Sequence, residues 1–261
     1  MNIKPVFPTS LHENVAASVR DYFYGFSIVD TVLVVNSCAR GNAVPESDLD
    51  FAILIKPGTT LSEKLNIERL WHSYQESHSL FSEYRQSNQF AHLHLDVIDG
   101  NYTPVVRETG EPVDYFEIEI GNQVCYSAPM GNAGSHFKTL QNKWLPYYDE
   151  ELRLQRLTMS RGACEYDLDH IPFFIKRGLC FQAFDILCKA FQEYLQTLFI
   201  SKKVYPIAYN KWIKEQIVKW LDMPELYSKL PPILSVSNIE SDEIIAKAGM
   251  LRQLLHDTIT D

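Results

Sequence analysis

The sequence predicts an α+β protein in two parts. A mixed sheet with helices is expected over residues 1–133, followed by an α-helical bundle over residues 134–261. Three observations lead there. Before residue 130, short apolar runs that are β-branched or alternate with polar residues are interleaved with segments of helical period. Gly131 and Gly134, in the stretch Met130–Ser135, break the chain at a natural boundary. Beyond that point helical spacing dominates, and the stretch 172–200 is so apolar that a helix there must be buried on most sides.

Taken in order, Ser10 and Glu13 form a capping box for a first helix over 9–24, with Leu11, Val15, Val19 and Tyr22 at helical spacing. The β-branched run 28–36 reads as a strand, 36–47 as a turn and 48–56 as a second strand. In that second strand Leu49, Phe51 and Ile53 point together toward a core. Pro57 and Gly58 end it, and Thr60 with Glu63 caps a helix to about Ser77, with Leu61, Leu65 and Trp71 on its buried side. The polar stretch 78–90 reads as a loop. Residues 92–98 alternate as a third strand, with Leu93, Leu95 and Val97 on one face and His92, His94 and Asp96 on the other. Two prolines and a glycine make 101–113 a long loop, and 114–127 alternates again, with Phe116, Ile118 and Ile120 opposite Glu117 and Glu119.

In the second part, residues 138–161 form a charged helix interrupted by Pro146, and Pro172 opens the apolar helix that runs to about Ile200. Gln182, Asp185, Lys189, Gln192, Glu193 and Gln196 make a narrow polar stripe on it. Asp185 and Glu193 flank Lys189 at the spacing of helix-surface ion pairs. Residues 212–221 form a further amphipathic helix ended by Pro224. Pro231 and Pro232 precede a last helix, capped by Ser237 with Glu240, whose inward face is Ile244, Ile245, Ala248, Leu251 and Leu255.

The chemistry concentrates between Val34 and Ile55. A turn rich in small residues, holding Ser37, Gly41, Pro45 and Ser47, leads into a strand that opens on Asp48 and Asp50. Residues two apart on a strand share a face, so the two carboxylates project together. Such a pair is costly without a compensating cation. Hard oxygen ligands at this spacing suit Mg²⁺, which takes one or two carboxylates together with substrate phosphates.

The run Ser37-Cys38-Ala39-Arg40-Gly41 through Ser47-Asp48-Leu49-Asp50 resembles the signature of the nucleotidyltransferase superfamily, whose fold is shared by DNA polymerase beta and the antibiotic adenylyltransferases. That signature is a Gly-Ser turn followed about a dozen residues later by Asp-x-Asp. Asn36 stands where the family has Gly, and Asn accepts left-handed backbone better than most residues. The resemblance implies two Mg²⁺ ions, held by Asp48, Asp50 and a third carboxylate on the strand after the helix, where Asp96 is the matching residue. Asp96 would complete the second metal position or take the proton from the attacking hydroxyl. Ser37, with the backbone of 37–41, would hold the phosphates of ATP or another nucleoside triphosphate, with Arg40 and Ser47 nearby. His92 and His94 read as partly exposed strand residues rather than ligands. Aminoglycoside and lincosamide adenylyltransferases pair this core with a helical bundle, so the resemblance also makes Lys176, Arg177, Lys189 and Lys211 nucleotide-binding candidates, and Lys189 is carried forward.

Composition narrows the partner. A net charge of −9 over 261 residues argues against a nucleic-acid backbone, which needs clustered Lys and Arg. The expected acceptor is a small hydroxylated molecule held between the two parts, with Glu117 or Glu119 suiting an amine-bearing one. Five cysteines without a Cys-x-x-Cys pair suggest neither zinc nor a disulfide framework and fit a cytoplasmic protein. No stretch approaches the ~20 apolar residues of a membrane span. The sequence leaves a homodimer open. Three other readings share parts of the motif: a protein-modifying adenylyltransferase of the toxin–antitoxin type, a non-catalytic nucleotide sensor, and an Asp-x-Asp glycosyltransferase.

Overall fold

The computed structural model describes residues 4–259. Helix α1 (Ser10–Phe23) starts at Thr9, whose hydroxyl accepts from the His12 amide; the cap expected at Ser10 thus falls one residue earlier. Strand β1 (Val29–Val34), a short helix α2 (Asn36–Arg40) and strand β2 (Leu49–Ile55) follow. Helix α3 (Leu61–Ser77) opens on the expected Thr60/Glu63 capping box. The stretch read as a loop is instead helix α4 (Ser79–Ser87), because Phe81 and Tyr84, three residues apart, both bury their rings. Strand β3 (Leu93–Ile98), helix α5 (Phe116–Ile120) and a two-residue strand β4 (Ala128–Pro129) complete the α+β part together with helix α6 (Ser135–Trp144).

The sheet is mixed, in the order β3-β2-β1-β4. Strand β1 pairs antiparallel with β2 and β4, whereas β3 runs parallel to β2 after the α3–α4 crossover. Leu49, Phe51 and Ile53 join α1 residues Val15, Ala16, Val19 and Phe23 in one core, as their alternation predicts. Trp71 and Ile67 supply the buried side of α3, while Leu61 and Leu65 are exposed, which corrects their expected placement. The stretch 114–127 is not a strand. Asp114 accepts from the Phe116 amide and starts α5, which continues as a π-helical turn over Gly121–Cys125.

The chain divides into two compact units, but not at 133/134. One comprises Met1–Tyr102 and Glu119–Leu145, the other Thr103–Ile118 and Pro146–Asp261. Residues on both sides of the expected boundary stay in the first unit because α6 is fastened to β1. The buried Asp30 carboxylate accepts from the His136 and Phe137 amides, each at 3.0 Å, and so caps a helix whose own N-cap, Gly134, has no side chain.

The second unit is helical. Helix α7 (Glu150–Lys176) continues through Pro172, so the apolar helix begins later than predicted, as α8 (Cys180–Ser201), after Gly178 at φ +71°. A π-helical turn (Glu215–Trp220) replaces much of the helix expected over 212–221. Helix α9 (Pro224–Leu234) has Pro224 in its first turn and contains Pro231 and Pro232. Helix α10 (Glu243–Thr258) buries Ile244, Ala248, Leu251 and Leu255, and its Glu243, not Glu240, contacts Ser237. The stripe on α8 is solvated only at its start, where Gln182 and Asp185 are exposed; Glu193 and Gln196 are wholly buried. Arg107 donates to both, at 2.9 and 3.2 Å, and Arg156 pairs with Asp114 and Glu117, so the segment 103–118 is fastened to α7 and α8 by interior charges. Among the described residues no helix is long and apolar enough to cross a membrane.

Candidate functional site

The site lies at the start of β2, where three backbone constraints meet. The Val35 amide donates to the Asp50 carbonyl at 3.0 Å, which sets the beginning of the 36–41 turn beside the second carboxylate. Asn36 adopts φ +57°, the left-handed region, and Gly41 ends α2 at φ +74° with its amide donating to the Ser37 carbonyl. The left-handed residue at 36 reverses the chain sharply enough to bring Ser37 and Cys38 back to the strand. Burial, aided by the charge of Asp50, pushes the Cys38 thiol up to about 12. The thiol therefore stays neutral and packs as a small apolar group rather than acting as a nucleophile.

Asp48 and Asp50 share the face of β2 opposite the α1 core, as the alternation predicts. Both are half-buried. The parallel register sets Asp50 opposite His94 and Ala52 opposite Asp96. Asp48, Asp50 and His94 each offer a ligand atom within 4.8 Å of the others, and His94 Nε2 lies 3.6 Å from Asp48 Oδ2. A hard divalent cation at about 2.1 Å from each donor needs ligand atoms about 3 Å apart in cis or about 4.2 Å in trans, so this donor set fits one ion with small side-chain adjustments. His94, read from sequence as a bystander, is the third member of this group, where the third residue expected from sequence was Asp96. Asp96 is exposed on the same face, one pleat (about 6.6 Å) farther along β3, and is not part of the three-residue group.

Ser37 is half-buried at the start of the turn, and Arg40 is half-buried at the end of α2. Ser47 works within its loop: its hydroxyl accepts from the Val44 amide at 2.9 Å and its own amide donates to the Val44 carbonyl at 2.8 Å. Lys189, in the second unit, donates to the Gly110 carbonyl at 2.6 Å and pairs with Asp167 at 2.9 Å. Its ion-pair contact is with Asp167 rather than with Asp185 or Glu193. Glu117 is wholly buried against Arg156, and so offers no acid to an amine-bearing acceptor. Sequence reasoning also missed His12 and Tyr84, two buried polar side chains that converge on the Ser47 carbonyl. The only signal for His12 was a polar residue within one turn of the apolar stripe of α1.

No family model matches the sequence, and no curated protein matches it. A solved structure similar to this chain is a nucleotidyltransferase-like protein from Exiguobacterium sibiricum 255-15, at 11% identity and a TM-score of 0.47, over 94% of this chain and 74% of that one. A likeness of that size carries no argument, and the functional reading rests on the chain's own turn, strands and donor set.

Proposed function

We propose that the chain is a divalent-metal-dependent nucleotidyltransferase, moving a nucleoside monophosphate, AMP from ATP, to a hydroxyl of a small molecule. The observation that carries this reading is the juxtaposition of the 36–41 turn with Asp48, Asp50 and His94 at the start of parallel strands β2 and β3. In such a transfer the acceptor oxygen bonds to the α-phosphorus, the bond to the β-phosphate bridging oxygen breaks, and pyrophosphate leaves. The metal, Mg²⁺ in the first instance and two ions if Asp96 joins, supplies charge neutralisation for the triphosphate and the leaving oxygen. Asp48, Asp50 and His94 hold and orient that charge. Ser37 and the turn behind it face the phosphates. Asp96, exposed on the same face, takes the proton of the attacking hydroxyl. Arg40 adds positive charge from the end of the turn.

A net charge of −9 favours a small acceptor over RNA, whose backbone requires a basic surface. The test is incubation with α-labelled ATP, Mg²⁺ and separate pools of aminoglycosides, lincosamides, RNA and lysate proteins. Label should reach a small molecule. Asp48→Asn and Asp50→Asn should each cut transfer by about 10²–10³-fold or more, the scale of losing one preorganised charge-stabilising group. Both should fold, since removing one of two like charges relieves repulsion. Normal turnover in either variant rules out the metal-site reading, and label on RNA ends alone rules out the acceptor class.

A further inference from the structure

The carbonyl of Ser47, the residue before Asp48, accepts from two side chains of two different helices. His12 Nε2 on α1 lies 3.0 Å from it, and the Tyr84 hydroxyl on α4 lies 3.1 Å from it. Both side chains are buried, at 1% and 0% exposure, and their rings meet edge to face at 5.1 Å. A carbonyl only accepts, so His12 must carry its proton on Nε2. Its Nδ1 lies 2.7 Å from the Thr9 hydroxyl, which ties the ring to the start of α1. On the other side of Asp48, the Leu49 amide donates to the His92 carbonyl at 2.9 Å. The peptide planes before and after Asp48 are thus both held.

We propose that His12 and Tyr84 are positioning residues for metal binding, acting through Ser47 on Asp48; this rests on the reading of Asp48 as a metal ligand. A carbonyl oxygen has two lone pairs, and two buried donors from different helices fix its direction where one donor would leave it free to swing. Two carboxylates that share a strand face repel and tend to splay, and a held backbone resists this before any cation arrives. The Tyr84 hydroxyl is pushed up, by burial first and also by the nearby charges of Asp48 and Asp50, so it remains a donor at any physiological pH. The charges of the pair thus reach the clamp itself. Partners that orient a metal ligand contribute about 10–100-fold in metal affinity when removed.

The experiment measures Mn²⁺ binding by the full-length protein without nucleotide, from the electron paramagnetic resonance signal of free Mn²⁺. Wild type should bind and Asp48→Asn should not. Tyr84→Phe and His12→Leu should each weaken binding by about tenfold. His12→Gln, whose amide N–H reaches the place of Nε2–H, should recover most of the affinity. Val19→Ala, a core truncation on the same helix, should lower the melting temperature but leave Mn²⁺ binding unchanged, which separates positioning from general loss of stability. Wild-type binding that Tyr84→Phe, an isosteric change, leaves intact overturns the positioning role alone. Absence of Mn²⁺ binding in wild type overturns the metal site and this inference with it.

Discussion

Asn36 illustrates how one backbone angle shapes the candidate site. At φ +57° it occupies a region that costs most L-residues roughly 1–2 kcal/mol, and Asn less, because its short polar side chain can bond locally. Glycine has no such cost. Asn36→Gly should therefore leave stability unchanged or raise it by up to about 1 kcal/mol, and should leave Mg-ATP binding equal or tighter. Asn36→Val should lose about 1–2 kcal/mol and weaken nucleotide binding, since a β-branched residue would push the turn away from Ser37. Urea unfolding and calorimetry with Mg-ATP check both changes. Tighter binding by the Val variant would mean that the turn does not meet the phosphates.

Among the elements, α6 depends most on a distant residue. Asp30 lies where the register of β1 against β2 shifts, and from there it caps α6 while accepting from the Thr31 hydroxyl at 2.8 Å. Thr31 in turn accepts from the Gly134 amide at 2.9 Å. A Cβ at Gly134 would fall 2.4 Å from the Asp30 carboxyl, although its backbone angles suit any residue. Gly134→Ala should therefore cost about 1–3 kcal/mol by displacing the cap, and Asp30→Ala about 1–2 kcal/mol by removing it. In combination the two should cost less than their sum, since the clash vanishes with the carboxylate. Chemical denaturation of the two single variants and the double variant reads this directly.

At the scale of the whole molecule, each unit has its own core, and the second carries an interior charge cluster. Among the described residues Arg107, Arg156 and Lys189 face four carboxylates, Asp114, Glu117, Asp167 and Glu193. The surplus negative charge falls on Glu193, whose pKa is raised to about 7 by burial first and by Asp167 next, against the pull of Arg107 and Lys189. The folded state then holds a proton that the unfolded chain releases near 4.5. Stability from this group is full below about 4.5, falls as pH rises toward 7, and is level above. Glu193→Gln, neutral at every pH, should remove that component. Relative to wild type it should gain about 3 kcal/mol on going from pH 4.5 to pH 8, at about 1.4 kcal/mol per pKa unit. Urea unfolding at the two pH values tests the sign: a constant difference between variant and wild type would mean Glu193 is ionised throughout. The Arg107 pair would then be an ordinary buried ion pair, and Glu193→Gln would destabilise equally at both.

What could be read from sequence was local. The Thr60/Glu63 box, the shared face of Asp48 and Asp50, the alternation of β2 and β3 and the inward face of α10 all follow from spacings of a few residues, and all are present. The α+β class and the helical second part followed from the same periodicities. Tertiary structure decided what depends on partners far along the chain. His94 stands beside Asp48 because the parallel pairing of β2 and β3 has one register, which alternation alone does not reveal. Residues 116–120 alternate like a strand yet form a helix, because Arg156, 39 residues on, draws Glu117 inward and Asp114 starts the turn. Glu193 and Gln196 look like a solvated stripe until Arg107, 86 and 89 residues away, provides the charge and donors that let them be buried. A carboxylate enters a protein interior only with a partner, and the identity of that partner is a property of the folded chain.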